Sequence, residues 1–263
     1  MQYNFLQRLY WKFERIKNKF KCYPIFKKYY CCVCNNTVGG FIPFRGGYKN
    51  QSSFIKSIEL IGSNLDLYKC PRCHANDRER HLFLYFKANN FEKIFYKKNI
   101  LHFAPEKHLS ELIKTYNPNI YIQCDLQPKS KNIQKINIEN IPHKNSTFEL
   151  IIANHVLEHV YNDSLAIKEI YRVLKPEGFA VLQVPFSKKL PSTFSDAKIN
   201  TDYLKNFFYG QEDHVRIYGQ DFIERIRNNG FQDFTQLHDL KLANFNAKFY
   251  GVNKQELFLL FKK

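Results

Sequence analysis

The chain has 263 residues, of which 44% are hydrophobic and 16% aromatic, so it can bury one sizeable core and is not a disordered protein. Its net charge of +16 indicates either an anionic partner or a general lysine enrichment, and the scattered positions of the lysines favour the second. The sequence has no apolar run of roughly 18 residues and no secretory signal pattern, so we expect no membrane-spanning helix and a cytoplasmic location.

Residues 1–30 form a basic and aromatic arm. From residue 11 onward the pattern predicts a helix, and its apolar stripe consists of Leu6, Leu9, Phe13, Ile16 and Phe20. Such a helix most often docks on the neighbouring domain, which is the outcome we expect. Contact with a membrane surface or with RNA is the alternative for this arm.

Four of the seven cysteines form two C-x-x-C pairs, and these are Cys31 with Cys34 and Cys70 with Cys73. Two such turns complete the tetrahedral thiolate shell that structural Zn²⁺ prefers. The sequence therefore predicts a small zinc-ribbon-like module over residues 31–77, in which the metal is structural and Cys32 faces away from it. Buried free thiols or a redox pair are the alternatives.

Residues 78–263 alternate between helical and strand patterns. Helices are predicted over residues 78–96, 107–116, 163–174 and 220–229. Strands are predicted over residues 100–103, 120–124, near 136–138, and over 149–153, 179–184 and 256–261. This alternation predicts an α/β domain with a mostly parallel sheet covered on both faces.

Ligands of an open parallel sheet bind at the carboxyl ends of its strands, where the strand order reverses. The loop after the first predicted strand is Ala104-Pro105-Glu106, and Asp125 ends the second strand 22 residues after Phe103. An acid at that spacing is placed to accept both hydroxyl groups of a ribose. These residues predict a crevice for a nucleoside-containing cofactor.

Two segments carry a more specific signal: FELIIANHVLEHV at residues 148–160 and IYRVLKPEG at residues 170–178. They resemble the fourth-strand and following-helix signature of class I S-adenosylmethionine-dependent methyltransferases of the type 11 group. With Asp125, the resemblance extends over roughly residues 98–262. LHFAPE at residues 101–106 and GQEDHVRIYG at residues 210–219 look like a bacterial subgroup that also carries the N-terminal cysteine pairs.

The resemblance implies a Rossmann-like sheet of seven strands, the last of them antiparallel and near residues 256–261. It also implies S-adenosyl-L-methionine as cofactor, with Asp125 on the ribose, Asn137 near the adenine and Ile138 packed on the adenine ring. The implied cofactor-binding residues are His102, Ala104, Pro105, Glu106, Asp125, Asn137, Ile138, Asn154 and His155.

This sequence departs from the family in the first loop, which normally carries a G-x-G pattern. Here Ala104 and Glu106 replace the two glycines, and His102 stands where an acid is usual. Glu106 can compensate by binding the ammonium group of the cofactor. A degenerate domain that binds RNA or a protein partner without catalysis is the alternative.

Methyl transfer is an in-line displacement, and an oxygen or protonated nitrogen acceptor also needs a base near neutral pH. We expect His155, beside the donor, or His214, in a lid formed by residues 210–219, to be that base. Asp213 is predicted to orient His214, and Arg216 to bind an anionic group of the substrate. The alternative for residues 210–219 is a structured connector, and for His155 simple packing at a helix start.

The sequence thus predicts methyl transfer to an unidentified small-molecule or glycan-type acceptor. An RNA methyltransferase is the second interpretation, because the chain combines a basic arm, a predicted zinc module and a charge of +16. The absence of an RNA-binding motif favours the first interpretation.

Overall fold

The computed structural model describes residues 16–23 and 28–263. The start of the predicted N-terminal helix and its residues Leu6, Leu9 and Phe13 lie outside the described residues, whereas residues 16–20 are helical. In the described part of the chain, no helix is long and apolar enough to cross a membrane.

The elements, in chain order and by type, are these. The helices are α1 (Ser53–Ser57), α2 (Asp77–Ala88), α3 (Phe91–Phe95), α4 (Lys107–Thr115), α5 (Asp163–Val173), α6 (Asp202–Tyr209), α7 (Phe222–Arg227), α8 (His238–Lys241) and α9 (Ala247–Tyr250). The strands are β1 (Tyr29–Cys31), β2 (Asn36–Val38), β3 (Asn99–Phe103), β4 (Ile120–Asp125), β5 (Gln134–Lys135), β6 (Phe148–Ala153), β7 (Leu174–Val181), β8 (Gln232–Asp233) and β9 (Leu260–Lys262).

The chain divides into two compact units. The cysteine unit comprises the described residues of Met1–Asn50 together with Ser63–Leu84 and Leu242–Lys254. The sheet unit comprises Gln51–Gly62, Tyr85–Lys241 and Gln255–Lys263. The domain boundaries predicted above stay predictions.

The sheet unit contains a seven-stranded sheet of order β5-β4-β3-β6-β7-β9-β8. Its strand pairs are parallel except those of β9, which runs antiparallel to both β7 and β8. The predicted Rossmann-like α/β fold with an antiparallel last strand is therefore confirmed. The chain moves outward from β3 to β5 and then returns to place β6 on the other side of β3, so the strand order reverses between β3 and β6.

The central strands form because they are continuous apolar runs that are buried on both faces. Leu101 in β3 and Ile151 in β6 are fully buried register partners. Helix α5 covers them with Ala166, Ile170 and Val173, all of which are fully buried in the same core. Each fully buried Leu, Ile or Val side chain contributes about 1.5–3 kcal/mol when it leaves water, so packing holds these strands and the helix together.

Several predicted elements differ from the observed ones. The helix expected over residues 78–96 is broken into α2 and α3, because Asn90 takes a positive φ of 67° and its side chain caps α3 at the Glu92 N–H. Strand β7 begins at Leu174, directly after α5, and not at residue 179. Helix α6 was not predicted; Thr201 caps its start and Gly210 ends it in the left-handed conformation.

Candidate cofactor crevice, histidine cluster and cysteine cluster

Ala104 comes directly after β3 and Asp125 ends β4, so the two residues lie at the carboxyl ends of neighbouring strands. The register pairs Phe103 with Cys124, and the Ala104 N–H donates to the Cys124 carbonyl over 2.8 Å. One oxygen of the half-buried Asp125 carboxylate accepts the Gln127 N–H over 2.8 Å. An acid that binds a ribose accepts hydroxyl groups with its carboxylate oxygens.

The turn after β3 has the backbone conformation of a glycine although its first residue is alanine. Ala104 has φ 45°, in the left-handed region that costs a residue with a Cβ roughly 1–2 kcal/mol. A glycine at this position would adopt the same backbone conformation without that cost. The exposed Ala104 and the half-buried Pro105 line its outer side.

Glu106 is held by hydrogen bonds from two directions. The Tyr121 hydroxyl lies 2.9 Å from His102 Nδ1, and His102 Nε2 lies 3.0 Å from Glu106 Oε2. Since a carboxylate only accepts, Nε2 carries the proton and Nδ1 accepts from the tyrosine. Asn154 Nδ2 donates to the other carboxylate oxygen of Glu106. Burial raises the pKa of Glu106, but the hydrogen bonds of His102 and Asn154 outweigh it and lower that pKa.

Asn154 also presents an unused acceptor. Its Oδ1 is buried and has no hydrogen-bond partner, and such a group costs about 1–3 kcal/mol unless a donor reaches it. An ammonium group has the donors that Asn154 Oδ1 lacks and carries the charge opposite to that of an ionised Glu106. The acceptors at this corner therefore fit the ammonium group at the amino-acid end of S-adenosylmethionine.

The segment predicted to hold the adenine begins beside Asp125, whose carbonyl accepts the Ile136 N–H over 3.0 Å. The Asn137 side chain is exposed, and its Oδ1 accepts the Glu139 N–H over 3.0 Å. Ile138 is buried in the main core of the sheet unit. The Asn137 amide nitrogen donates to a Glu139 carboxylate oxygen over 3.4 Å, so both polar atoms of this side chain are bonded to Glu139, whereas Ile138 packs in the core.

His155 lies one residue beyond Asn154 and is clamped between two buried carboxylates. Its Nδ1 lies 3.0 Å from Glu158 Oε1 and its Nε2 lies 3.2 Å from Glu256 Oε1. Burial raises the pKa of Glu158, but the His155 hydrogen bond reverses this and lowers the pKa to about 2. Because both ring nitrogens are engaged, His155 has the surroundings of a positioning residue and not of a free base.

His214 is buried and has one free nitrogen. Its Nδ1 donates to the Tyr209 carbonyl over 3.0 Å, which leaves Nε2 without a proton and without a partner. Burial lowers the pKa of His214 to about 4, so the ring is neutral near pH 7. The Asp213 carboxylate, predicted to orient this ring, instead lies 3.3 Å from Nδ1 of His159.

The two terminal nitrogens of Arg216 are bonded to protein groups, whereas its buried Nε has no hydrogen-bond partner. Its guanidinium lies 2.5 Å from the Asp163 carboxylate and donates to the carbonyls of Val160 and Tyr161 over 2.6 and 2.7 Å. The side chain is only 6% exposed. This pairing favours a structural role, in which Arg216 fixes the 210–219 segment to residues 160–163, over the predicted contact with an anionic substrate.

The cysteine unit brings the four predicted zinc ligands together. One Sγ atom from each of Cys31, Cys34, Cys70 and Cys73 lies within 4.8 Å of all the others. The distance from Cys31 Sγ to Cys73 Sγ is 3.7 Å, close to the about 3.8 Å edge of a tetrahedron with Zn–S bonds of about 2.3 Å. Cys32 Sγ points away and lies 3.4 Å from the Arg80 carbonyl.

Arg80 holds the same unit together from its centre. The fully buried guanidinium donates to five backbone carbonyls, at 2.6–3.0 Å, and lies 3.8 Å from the centre of the Phe41 ring. The five acceptors are Leu67, Tyr68, Ala75, Tyr250 and Gly251. Cysteine-bearing loops and the 242–254 segment are thereby joined through one side chain, which the sequence pattern did not single out.

Other residues that sequence reasoning missed are the partners of predicted ones. Glu158 and Glu256 bind the two nitrogens of His155, and Tyr121 supports His102. Glu158 lies three residues after His155 and could have been noticed from that spacing. Glu256 lies 101 residues away, so no local pattern indicates it.

Part of the sheet unit matches a known protein family. Residues 116–182, about a quarter of the chain, match the family model described as a methyltransferase domain. A search of curated proteins finds no match to this chain. The family match supports the resemblance to class I methyltransferases and does not identify an acceptor.

The chain is also similar to solved structures. One is an S-adenosylmethionine-dependent methyltransferase from Mesorhizobium loti, with 10% identity and a TM-score of 0.49, over 68% of this chain and 98% of that one. Another is the YcgJ protein from Bacillus subtilis, with 16% identity and a TM-score of 0.45, over 62% of this chain and 77% of that one.

Proposed function

We propose that this chain is an S-adenosylmethionine-dependent methyltransferase acting on a small-molecule or glycan-type acceptor. The observation that carries the proposal is the set of groups at the point where the strand order reverses. There Asp125 directly follows Cys124, whose carbonyl accepts the Ala104 N–H in the left-handed turn, and Glu106, two residues after Ala104, is bonded to Asn154. These are the polar groups that a nucleoside joined to an amino acid requires.

Each group has a distinct task in this proposal. The free oxygen of Asp125 accepts the ribose hydroxyls, and Glu106 with Asn154 Oδ1 accepts the ammonium group. His155, fixed by Glu158 and Glu256, shapes the floor of the site. When bound, the cofactor supplies an electrophilic methyl group on a sulfonium.

The acceptor must be aligned with that methyl group, and an acidic hydroxyl or protonated amine must also lose a proton. Of the three residues predicted to act in catalysis, which are His155, Asp213 and His214, His214 has an unpartnered buried nitrogen. Its Nε2 can take a proton or a cation. This environment supports a catalytic role for His214. Asp213 would then orient His159 and not His214.

RNA is the second candidate acceptor, because 40 lysines and arginines against 24 acids favour a polyanion. We also propose that the four-cysteine cluster holds structural Zn²⁺. Four thiolates close the tetrahedral shell, so the metal has no open position for a substrate.

Transfer of a tritiated methyl group from S-adenosylmethionine tests the proposal. The intact protein is incubated in parallel with a small-metabolite extract and with total RNA. Label in the extract supports the first candidate, and label in RNA replaces it with the second. No transfer to either pool, together with no binding of S-adenosylhomocysteine, would overturn the enzymatic function in favour of a non-catalytic domain.

A further inference from the structure

Glu158, His159 and His214 form a cluster that is linked to the proposed cofactor floor through the His155–Glu158 hydrogen bond. Each offers one ligand atom, and the three atoms lie within 4.8 Å of one another. Glu158 and His159 belong to the short 3₁₀ helix Leu157–His159 that follows β6, and His214 comes from the 210–219 segment. The backbone joins the two segments, since the Val215 N–H donates to the Glu158 carbonyl over 2.9 Å.

Neighbouring groups fix which atom of each side chain is free. The Tyr209 carbonyl accepts a hydrogen bond from Nδ1 of His214, and Oε1 of Glu158 is bonded to Nδ1 of His155. Nδ1 of His159 lies 3.1 Å from the Asp213 carbonyl and 3.3 Å from its carboxylate, so it carries the proton. Metal-binding histidines are held in the same way, by a carbonyl or carboxylate on the nitrogen that does not bind the metal.

Two of the free atoms are buried acceptors without a donor. His214 Nε2 and Glu158 Oε2 have no hydrogen-bond partner, and these residues are 3% and 0% exposed. An unsatisfied buried acceptor is costly, and here two lie in one small cluster. A cation between them removes both penalties at once.

We infer that Glu158, His159 and His214 bind a divalent transition-metal ion. Two imidazoles and one carboxylate suit Zn²⁺, Co²⁺ or Mn²⁺, whereas Mg²⁺ and Ca²⁺ prefer oxygen ligands alone. Three protein ligands leave a coordination position open, as in catalytic sites and unlike the four-cysteine cluster. The His159 side chain is 33% exposed, so the site has access to solvent.

The open position implies a substrate class, a consequence that rests on the proposed function. Asn154 and His155 belong to the proposed cofactor floor, and His155 is hydrogen-bonded to Glu158 of the cluster. A hydroxyl-bearing acceptor bound at the open position would be held beside the methyl donor and made more acidic by the cation.

Zinc content of the whole protein tests the inference without reference to activity. Wild type, His214→Ala, His159→Gln and the control His108→Gln are saturated with Zn²⁺, passed through a desalting column and measured by mass spectrometry. We expect both cluster variants to retain one zinc ion fewer per chain than wild type, and the control to retain the same number. Because the result is the difference in zinc content between wild type and variant, the zinc ion bound by the cysteines does not affect it.

A cobalt spectrum identifies the donor atoms. Co²⁺ added to protein that holds only the cysteine-bound zinc ion should give visible d–d bands without thiolate charge-transfer bands, and both cluster variants should lose them. Should His214→Ala fail to fold, His159→Gln decides the matter, because its side chain is partly exposed. Equal zinc content in wild type and His159→Gln overturns the inference. A metal site without methyl transfer would refute only the proposed function.

Discussion

Ala104 and His155 are both held at positive φ, 45° and 54°, just beyond neighbouring parallel strands. Their strands are in register, since Phe103 pairs with Ala153. Left-handed backbone at residues with a Cβ is unfavourable and persists where surrounding contacts impose it, often at functional sites. The two turns adjoin the proposed cofactor crevice from neighbouring strands.

Ala104→Gly should relieve this strain. We expect the free energy of unfolding of the sheet unit to rise by up to about 1 kcal/mol, because glycine adopts positive φ without a Cβ clash but loses more chain entropy. Urea unfolding followed by circular dichroism measures the change. Ala166→Gly, in the interior of α5, is the control and should lower the same quantity by about 1 kcal/mol or more. A loss of stability in Ala104→Gly would show that the turn is not strained.

The cysteine cluster predicts selective zinc loss on substitution. Cys34→Ser and Cys73→Ser each remove one thiolate of the proposed shell and should lose the structural zinc ion. Cys32→Ser should retain it, because Cys32 Sγ faces the Arg80 carbonyl. Zinc released to a colorimetric chelator measures this. Equal release from all three variants would contradict the assignment of ligands.

Asp163 predicts a pH-dependent contribution to stability. Burial raises its pKa, but Arg216 and Arg225 outweigh burial and hold the pKa below its ordinary value of 3.8. A lowered folded-state pKa means that the stabilisation is complete above about pH 5 and is lost as pH falls through the folded-state value.

Asp163→Asn should therefore lower the free energy of unfolding by about 3–5 kcal/mol at pH 7, because a buried pair is broken. The difference from wild type should shrink below pH 3.8. The control Asp221→Asn should change stability by less than about 1 kcal/mol, since Asp221 is partly exposed and lies 3.7 Å from Arg225. Chemical unfolding at several pH values provides the measurement. A difference that does not vary with pH would contradict the pairing.

The parts of the fold that the sequence predicts well are those set by local pattern. The apolar runs of β3 and β6, the capped helix α5 and the paired cysteines are all visible within a few residues. The break at Asn90 was missed because its positive φ leaves no clear signal in a run that otherwise reads as helical.

The same distinction between local and long-range features applies to the candidate site. Asp125 is predictable because its place at the end of a strand and its spacing are local properties. The engagement of His155 by Glu256 and of Arg216 by Asp163 depends on chain segments that meet only after folding. The sequence therefore identified these side chains, but it did not show whether their polar atoms are hydrogen-bonded to other protein groups after folding.

Binding of S-adenosylhomocysteine to Asp125→Asn tests the central claim most directly. Asp233→Asn is a matched control, because Asp233 also ends a strand and accepts an N–H two residues on, over 2.8 Å, but lies in β8 at the far edge of the sheet. By calorimetry, we expect wild type and Asp233→Asn to bind alike and Asp125→Asn to bind about 10- to 100-fold more weakly, as loss of a charged acceptor implies. Equal binding by all three proteins, or none by wild type, would contradict the account.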